Sequence, residues 1–259
     1  MSLKRNERRV IVITGATGGL AQELVKLIPE DDCLILLGRS VERLKATFGE
    51  RQNCHLEGLD ITDDSALHEC VSSIYDRFGQ IDIFINNAGF GEFKPYDDYT
   101  DETIRQMFDV NTLAMINFSR LVGKKMAERG QGHLINIVSI AGLVASAKST
   151  IYAATKFAMI GFSNALRLEL ADYGVYVTTV NPGPISTKFF DQADPTGDYL
   201  ASVQRYTMQA DEVAKRIYRI FGKNKRELNM PFALALTAKF YNLFPKTGDF
   251  LARKVFNYK

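Results

Sequence analysis

The sequence predicts an α/β fold, a single-domain doubly wound parallel sheet with helices on both faces. Two observations predict it. Short runs rich in Val, Ile and Leu alternate with longer segments of helical periodicity, which is the order typical of βαβ units. These runs are continuously apolar, as expected for strands that are covered on both faces. Right-handed crossovers between such strands give a doubly wound sheet, and we expect one domain over residues 1–259.

Six strands are predicted, over residues 9–14, 33–38, 54–59, 81–86, 132–139 and 174–181. The predicted helices are 18–28, 41–48, 63–78, 100–129, 150–172 and 210–221. Residues 1–8 form an N-terminal arm. Prolines and a glycine make 182–208 the least regular stretch, so residues 184–208 are a candidate substrate lid. The remainder, 228–259, is predicted to be a helical, aromatic-rich C-terminal extension.

The charge of the chain is small overall and unevenly placed. The 259 residues carry a net charge of +2, which does not indicate a polyanion-binding protein. Residues 1–9 contribute +3, residues 223–259 contribute +6, and the middle of the chain is −7. Nucleic-acid binding through the basic ends is disfavoured, because neither a recognised motif nor a basic helix accompanies them.

Cysteine usage and hydropathy predict the compartment. Cys33, Cys54 and Cys70 are an odd number without metal-ligand spacing, which is typical of apolar positions in a reducing environment. The three histidines are scattered, so no metal site is expected. The first apolar run, residues 10–13, is too short for a signal peptide, and no run is long enough to span a membrane. We therefore expect a cytoplasmic protein.

A glycine-rich turn follows the first predicted strand and opens the first helix. Its sequence is Thr14-Gly15-Ala16-Thr17-Gly18-Gly19-Leu20-Ala21. Glycines let the backbone turn tightly and approach a pyrophosphate, whose charge is favoured at a helix N-terminus. An ordinary βα turn is the alternative, but the position between strand and helix favours a dinucleotide site. The candidate cofactor-binding residues here are Gly15, Thr17, Gly18, Gly19 and Leu20.

The end of the second strand indicates which dinucleotide binds. An NAD site places an acidic residue there to accept from the ribose 2′-hydroxyl, whereas this strand ends in Gly38-Arg39-Ser40. The Arg39 guanidinium and the Ser40 hydroxyl suit a 2′-phosphate. A surface arginine that starts a helix is the alternative. We predict NADP(H) in preference to NAD(H).

A tyrosine and a lysine predict the chemistry. Tyr152 and Lys156 are four residues apart on one predicted helix, so they share a face. A tyrosine has a pKa of about 10, and a neighbouring lysine cation favours the phenolate. We therefore expect a lowered pKa and general acid–base catalysis by Tyr152. Ser139, at the end of the preceding strand, could hold a substrate oxygen. Chance spacing on a helix is the alternative for the pair alone.

At this point the chain resembles the classical short-chain dehydrogenase/reductase superfamily, over about residues 8–222. Arg39 resembles the basic residue of its NADP-preferring members. The matching motifs, in chain order, are Thr14-Gly15-x-x-x-Gly19-x-Ala21, Asp60-Ile61, Asn86-Asn87-Ala88-Gly89, Val110-Asn111, Ser139, Tyr152-x-x-x-Lys156 and Asn181-Pro182-Gly183-Pro184-Ile185-x-Thr187.

The resemblance implies a Rossmann-type sheet, reversible hydride transfer between NADP(H) and a carbonyl/alcohol pair, and a homodimer or homotetramer. It implies four catalytic residues, which are Asn111, Ser139, Tyr152 and Lys156. It implies substrate contact by Ser139 and Tyr152, and a water on Asn111 that connects Lys156 to solvent. Further cofactor contacts that it implies are Asp60, Ile61, Asn87, Ala88, Gly89, Tyr152, Lys156, Pro182, Gly183, Ile185 and Thr187. Capping of the following helix is the alternative for Asp60.

The lid and the tail suggest an apolar substrate and leave roles open. Phe189, Phe190, Tyr199 and Tyr206 either cover an apolar pocket or pack the lid onto the body. In the tail, apolar residues at helical spacing are surrounded by basic ones. They form a cap over the pocket or a subunit contact, or else a segment that rests on an anionic membrane surface. The apolar residues are Phe232, Leu236, Phe240, Leu243, Phe250, Leu251, Val255 and Phe256. The basic residues are Lys239, Lys246, Arg253, Lys254 and Lys259.

A non-catalytic protein that senses NADP(H) is the alternative from another functional class. Such a protein would not need all four catalytic-type residues in order, and this sequence has them. A small-molecule carbonyl/alcohol substrate is therefore the expected partner.

Overall fold

The fold, taken from a computed structural model, is described for residues 8–255. The predicted arm therefore lies almost wholly outside the described residues, as do Phe256 and Lys259 of the predicted tail. The helices are α1 Gly19–Leu27, α2 Val41–Phe48, α3 Asp64–Phe78, α4 Asp101–Phe108, α5 Ala114–Arg129, α6 Thr150–Leu170, α7 Phe189–Ala193, α8 Asp198–Val203, α9 Ala210–Tyr218, α10 Phe232–Leu243 and α11 Pro245–Val255. The strands are β1 Val10–Thr14, β2 Cys33–Gly38, β3 Cys54–Gly58, β4 Ile83–Asn86, β5 Gly132–Ile137, β6 Val175–Pro182, β7 Ile185–Ser186, β8 Met208–Gln209 and β9 Glu227–Met230.

The main sheet has seven parallel strands in the order β3-β2-β1-β4-β5-β6-β9. This order confirms the doubly wound Rossmann-type fold. The chain starts inside the sheet with β1, builds outward to β3, and then returns to build the other side from β4 to β9. The direction reverses between β1 and β4, and ligands bind at the carboxyl ends of the strands beside such a switch point.

Apolar layers cover both faces of the sheet because neighbouring strand residues point to opposite sides. On β1, Ile11 and Ile13 pack into one core with α1, α2 and α9. Val10 and Val12 face a second core with α3, α5 and α6. All five residues of β1 are buried, as expected for a central strand. None of the helices between residues 8 and 255 combines the length and apolar character required to span a bilayer.

The C-terminal extension begins differently from the prediction. Residues 227–230 form β9, which pairs in parallel with β6, so the prediction of helix from residue 228 was wrong at its start. The Glu-Leu-Asn-Met run is short and half polar, and its strand form depends on hydrogen bonds from β6. After β9, α10 and α11 form the helical extension as predicted.

Two other segments depart from the prediction. The helix predicted over 100–129 is interrupted by a π-helical turn at Asp109–Leu113, which contains Asn111. A wider turn of this kind accommodates an additional residue and is frequent at functional sites. The predicted lid, 184–208, contains α7 and α8, and β7 pairs with β8 near its two ends.

Candidate active site

The turn between β1 and α1 fits an anionic group. Gly15 has a φ of +62°, and a Cβ built there would lie 2.7 Å from the Ala88 Cα, so only glycine is accommodated. Gly18 precedes α1 without a side-chain cap, and the first turn of α1 has no acidic residue. The N–H groups and the dipole at this helix end therefore face a position suited to a pyrophosphate.

The other predicted residues of this turn, Thr17, Gly19 and Leu20, take part in it in different ways. Leu20 is buried in the core, so it contributes to the helix start through its backbone. The Thr17 carbonyl accepts a hydrogen bond of 2.8 Å from Gln22 Nε2, which steadies the turn. A Cβ on Gly19 would lie 2.9 Å from Cγ2 of Thr187. The structure thus brings Thr187, at the start of the lid, against the glycine turn.

The Asn-Asn-Ala-Gly turn after β4 braces the glycine turn. The Thr14 hydroxyl accepts hydrogen bonds of 3.0 Å from the N–H groups of Asn87 and Ala88. The Asn87 side chain donates to the carbonyls of Thr14 and Gly15 at 3.0 and 3.1 Å. Asn87 therefore fixes the glycine turn through its side chain. A Cβ on Gly89 would lie 3.1 Å from Asn111 Oδ1 and 3.5 Å from Lys156 Nζ, so a larger residue would crowd both.

Arg39 and Ser40 lie at the carboxyl end of β2, beside the glycine turn. Arg39 is exposed. Ser40 caps α2, because its Oγ accepts from the Arg43 N–H at 3.2 Å and donates to the Glu42 carboxylate at 2.8 Å. Arg39 is therefore the side chain at this strand end that presents a cation to solvent, while the Ser40 hydroxyl is engaged within the helix cap.

Asp60 lies at the end of β3 and is not the cap of the following helix. Its carboxylate accepts from the N–H and the hydroxyl of Thr62 at 3.0 and 2.7 Å. These bonds lower its pKa, and the charge of Arg39 lowers it further. Asp63 caps α3 instead, accepting from the Ala66 N–H at 3.0 Å. Ile61, between them, is largely buried. The helix-cap alternative for Asp60 is therefore wrong.

Tyr152, Lys156 and Ser139 meet at the carboxyl end of β5. Tyr152 and Lys156 lie in the first turns of α6 and are 9% and 4% exposed. Lys156 Nζ is 5.5 Å from the centre of the Tyr152 ring and donates to the Ile137 carbonyl at 3.4 Å. The Ser139 hydroxyl bonds to the Tyr152 phenol and accepts from the Ala141 N–H at 3.0 Å. The predicted spacing therefore produces a physical cluster.

The pKa of Tyr152 departs from the prediction. Burial raises the pKa of the phenol, and the hydrogen bond from Ser139 opposes this only in part. Burial also lowers the pKa of Lys156 to about 8. The expected lowering of the phenol pKa by Lys156 is wrong for this geometry, since desolvation dominates both groups. Tyr152 therefore holds its proton at neutral pH, whereas Lys156 holds its own less firmly than an exposed lysine.

Asn111 connects the loop after β4 to α6. Its Oδ1 accepts from the Phe90 N–H at 3.0 Å, and its Nδ2 donates to the Phe90 carbonyl at 2.7 Å and to Thr155 Oγ1 at 3.3 Å. Thr155 in turn donates to the Tyr152 carbonyl at 2.7 Å. The buried amide has the partners that its burial requires. The Asn111 amide is thus held by the Phe90 backbone on one side and by α6, which carries Tyr152, on the other.

An aromatic cluster encloses Tyr152. The Phe93 ring stacks on Tyr199 with centres 4.1 Å apart and meets Tyr152 edge-on at 5.5 Å. Phe189 lies 6.0 Å from Tyr152, and Phe190 lies 5.9 Å from Phe93. The lid rings Phe189, Phe190 and Tyr199 cover the side of α6 that carries Tyr152 and pack the lid onto the body. Packing of the lid onto the body is therefore confirmed for these rings, while cover of an apolar pocket stays a prediction.

The cluster over Tyr152 differs from the predicted set of rings at Tyr206 and Phe93. The ring of Tyr206 lies beneath the Arg205 guanidinium at 4.6 Å, and that contact is outside the cluster over Tyr152. Phe93 was missed, although it is central to the cluster. The Phe93 N–H also donates to the Ala193 carbonyl at 2.8 Å, which ties the loop to the lid. Phe90 and Phe93 directly after the Asn-Asn-Ala-Gly turn were the available clue.

The start of the lid is tied to β9 and α10. Pro182 ends β6, and the Gly183 N–H donates to the Met230 carbonyl at 2.6 Å. A Cβ on Gly183 would lie 2.9 Å from Leu234 Cδ1 of α10. Ile185 pairs with Met208 across β7 and β8. The predicted Pro182–Thr187 segment is therefore held between the sheet and the C-terminal helices.

A buried polar network beneath the site was also missed. Asn86 Nδ2 donates to Asn136 Oδ1 at 2.8 Å and to Ser119 Oγ at 2.9 Å. Asn136 Nδ2 donates to Ser163 Oγ at 2.9 Å. These bonds fix α5 and α6 relative to β4 and β5. Asparagine within an apolar run was the clue, because a buried amide requires partners.

The fold and site define a dinucleotide-binding oxidoreductase, and comparison with known proteins specifies its family. The family model described as short chain dehydrogenase matches residues 9–197. The chain belongs to this family. An uncharacterised oxidoreductase of Staphylococcus haemolyticus is 31% identical over 189 residues, which cover 72% of this chain and 82% of that protein.

Solved structures agree in fold. The closed form of a serine dehydrogenase complexed with NADP⁺ has a TM-score of 0.78 and 29% identity, covering 85% of this chain and 94% of that one. A short-chain dehydrogenase from Streptomyces avermitilis has a TM-score of 0.82 over 96% of this chain and 97% of that one. At 22% identity, the second comparison concerns the fold alone.

Proposed function

We propose that this enzyme interconverts an apolar carbonyl compound and its alcohol by hydride transfer with NADP(H), using Tyr152 as the general acid/base. The observation that carries the proposal is the cluster of Tyr152, Ser139 and Lys156 beside the glycine turn. Ala88 lies against Gly15 of that turn, and the next residue, Gly89, lies close to Lys156 Nζ. This arrangement supports the proposal, because the Tyr152 phenol and the N-terminus of α1 lie at the same edge of the sheet.

The residues present fit a dinucleotide. The backbone of Gly15, Gly18 and Gly19 would approach the pyrophosphate at the start of α1. Arg39 would bind the 2′-phosphate, and Asp60 and Ile61 would border the adenine. When bound, the cofactor supplies the hydride, which is its own chemistry. The remaining candidates on the nicotinamide side are Asn87, Ala88, Gly89, Pro182, Gly183, Ile185 and Thr187.

Proton transfer is the part performed by the chain. During reduction the carbonyl carbon gains a hydride and the oxygen gains the Tyr152 proton. A raised phenol pKa keeps Tyr152 protonated and ready to donate until a strongly basic oxygen develops. Ser139 would hydrogen-bond the same oxygen and stabilise its charge. Lys156, with a pKa of about 8, would return a proton to the phenolate.

The preference for NADP(H) is supported by Arg39, by the lack of an acidic residue at the end of β2, and by the NADP⁺ in the related serine dehydrogenase structure.

We expect Arg39→Ala to lower kcat/KM for NADPH by roughly tenfold, since a charge-assisted bond to phosphate is lost. The same change should leave NADH little affected. Arg43→Ala, in the exposed part of α2, is the matched control. Equal or better use of NADH by the unchanged protein would refute the preference.

An apolar substrate is supported by the rings around Tyr152. Phe93, Phe189 and Tyr199 surround the phenol with carbon-rich faces. Bulky apolar ketones and aldehydes are the best match to such walls.

A homodimer or homotetramer through α5 and α6 is proposed on the family resemblance and on exposed Leu113, Phe157 and Leu168.

The decisive experiment is a panel of carbonyls and alcohols assayed by NADPH absorbance. Oxidation of NADPH by apolar carbonyls, faster than by small charged ones, is the expected result. Saturable binding of NADPH without turnover on any compound would instead favour the cofactor-sensing alternative.

A further inference from the structure

An apolar stripe runs along the outer side of α10. Phe232, Leu236, Phe240 and Leu243 are 78%, 57%, 39% and 73% exposed. Their spacing of four, four and three residues places them on one helical face. Phe244, which follows, is 55% exposed and contacts Phe240 with ring centres 5.2 Å apart. Single exposed apolar residues are normal, but a continuous stripe of this kind indicates an interaction surface.

The opposite side of α10 is already occupied by the body of the protein. Ala238 is buried, and Leu234 packs against Gly183 at the exit of β6. α11 folds back on the end of α10, where the Tyr241 hydroxyl donates to the Asp249 carboxylate at 2.8 Å. The stripe therefore does not close the pocket as a cap, because it points away from the surface on which α10 rests.

The segment that forms α10 and α11 has a net positive charge. Residues 231–255 contain Lys239, Lys246, Arg253 and Lys254 against a single acidic residue, Asp249. That carboxylate is engaged by Tyr241. The large middle part of the chain, by contrast, has a net negative charge. Apolar and cationic character thus coincide in one segment.

We propose that α10 and α11 form a docking surface for anionic lipid bilayers. The Phe and Leu side chains of the stripe would enter the interfacial region, while Lys239 and Lys246 would lie at the level of the lipid phosphates. This combination of an apolar helix face and neighbouring lysines is the one that peripheral membrane segments use.

A second copy of the chain fits this surface less well. A two-fold contact through α10 and α11 would bring the same cationic segment against itself, and like charges in an interface are costly. Exposed Leu113, directly before α5, and exposed Phe157 and Leu168 of α6 offer a separate surface for subunit contact. Charge complementarity therefore favours the anionic bilayer.

The position of the surface connects it to the site. α10 contacts the turn 140–142, which directly follows Ser139, and it packs against Gly183 at the start of the lid. A protein docked through the stripe would hold Ser139 and the start of the lid near the bilayer. Apolar carbonyls dissolved in lipid would then reach Tyr152 without crossing bulk water.

Co-sedimentation of the full-length protein with vesicles tests the proposal. Phosphatidylcholine vesicles are compared with and without phosphatidylglycerol at physiological salt. We expect binding to the anionic vesicles, weakened by added salt because exposed charges are screened. Phe232→Ser with Leu236→Ser should abolish binding, and Lys239→Gln with Lys246→Gln should weaken it on the order of tenfold. Tyr96→Ser, which changes an equally exposed ring elsewhere, should bind normally.

The outcomes are distinct. Lack of sedimentation by the unchanged protein, or wild-type sedimentation by the Phe232→Ser/Leu236→Ser variant, would overturn the proposal. A fall in the molar mass of that variant by light scattering, without lipid binding by the unchanged protein, would show a second copy on this surface instead. Thermal melts establish that the variants are folded. Vesicle binding is independent of turnover, so its failure leaves the proposed reaction untouched.

Discussion

Two buried bases lie at opposite ends of β5 and behave differently. At the amino end, His133 accepts from the Gly222 N–H through Nδ1 at 3.2 Å and donates to Thr178 Oγ1 through Nε2 at 2.8 Å. At the carboxyl end, Lys156 donates to the Ile137 carbonyl at 3.4 Å. Burial lowers the pKa of both, to about 3 for His133 and to about 8 for Lys156.

The difference lies in how completely each base is satisfied. Both ring nitrogens of His133 have partners, so its neutral form is locked into the junction of β5, β6 and the turn after α9. Lys156 has three N–H donors and, within the described part of the chain, one long hydrogen bond. A buried, incompletely satisfied cation beside a tyrosine is typical of a functional site, whereas a satisfied neutral histidine is a structural element.

Tyr152→Phe is the substitution from which we expect the largest loss of activity. Loss of the phenolic proton should lower kcat/KM for carbonyl reduction by roughly a thousandfold, a size typical of general acid catalysis. NADPH affinity, measured by fluorescence titration, should remain within a few-fold. Tyr173→Phe, on an exposed ring, serves as the control. Normal turnover by Tyr152→Phe would refute the role proposed for this residue.

The pH dependence of reduction tests the role of the Lys156 cation. Because the pKa of Lys156 is lowered to about 8, its cation is present below that pH and is lost above it. We expect kcat/KM for reduction to be level below pH 8 and to fall about tenfold per pH unit above it. Lys156→Arg, whose cation persists, should be less active but should lack this fall. A level profile of the unchanged enzyme up to about pH 10 would contradict the role of Lys156.

The polar network in the middle of β5 joins the two ends. Asn136→Ala would leave Asn86 and Ser163 each without one partner, so we expect the free energy of unfolding to fall by about 2 kcal/mol. Asn117→Ala, which removes an exposed bond to Asp64, should change it by less than about 0.5 kcal/mol. Urea denaturation measures both. An equal effect of the two changes would show that the network contributes little.

Because burial lowers the pKa of His133, we expect the free energy of unfolding to fall in acid. The neutral form is retained in the folded state, so protons bind the unfolded chain first as pH falls below its ordinary pKa of about 6.5. This group should therefore remove about 1.4 kcal/mol of stability between about pH 7.5 and about pH 5.5, with further loss toward pH 3. Urea denaturation of wild type, His133→Gln and the exposed control His68→Gln tests this. The loss of stability between these pH values should be smaller in His133→Gln than in wild type, and the same in His68→Gln as in wild type.

If His133→Gln does not fold, NMR of the histidine rings in the unchanged protein provides the test. The His133 resonance should stay constant over the same pH range, because the ring remains neutral. Movement of that resonance between about pH 7.5 and about pH 5.5 would show that His133 is protonated in the folded state and would refute the prediction.

The sheet was largely predictable from local pattern, and its exceptions depended on tertiary pairing. β1, β2 and β4 are nearly continuous apolar runs, which are unambiguous when both faces are buried, whereas β3 is mixed in polarity and only half-buried. β9 was missed because Glu227–Met230 is short and mixed in polarity, and its form depends on β6. The two-residue strands β7 and β8 carry no periodicity of their own.

The candidate site was predictable where it depends on strand ends and helix spacing. The glycine turn, the Asn-Asn-Ala-Gly turn and Ser139 all follow strands, and the carboxyl ends of parallel strands share one edge. The raised pKa of Tyr152 was not predictable, because spacing places Lys156 nearby but does not reveal how completely both groups are desolvated. The place of Phe93 depends on a loop whose path is set by Asn111 and the lid.

The order of the seven strands has a consequence for biosynthesis. β1, made first, is central, and every later strand of the main sheet is added to an edge that already exists, with β2 and β3 on one side and β4, β5, β6 and β9 on the other. No strand must insert between two that have already paired. The nascent chain can therefore extend its sheet as it leaves the ribosome, and the last edge is completed only when Met230 has emerged.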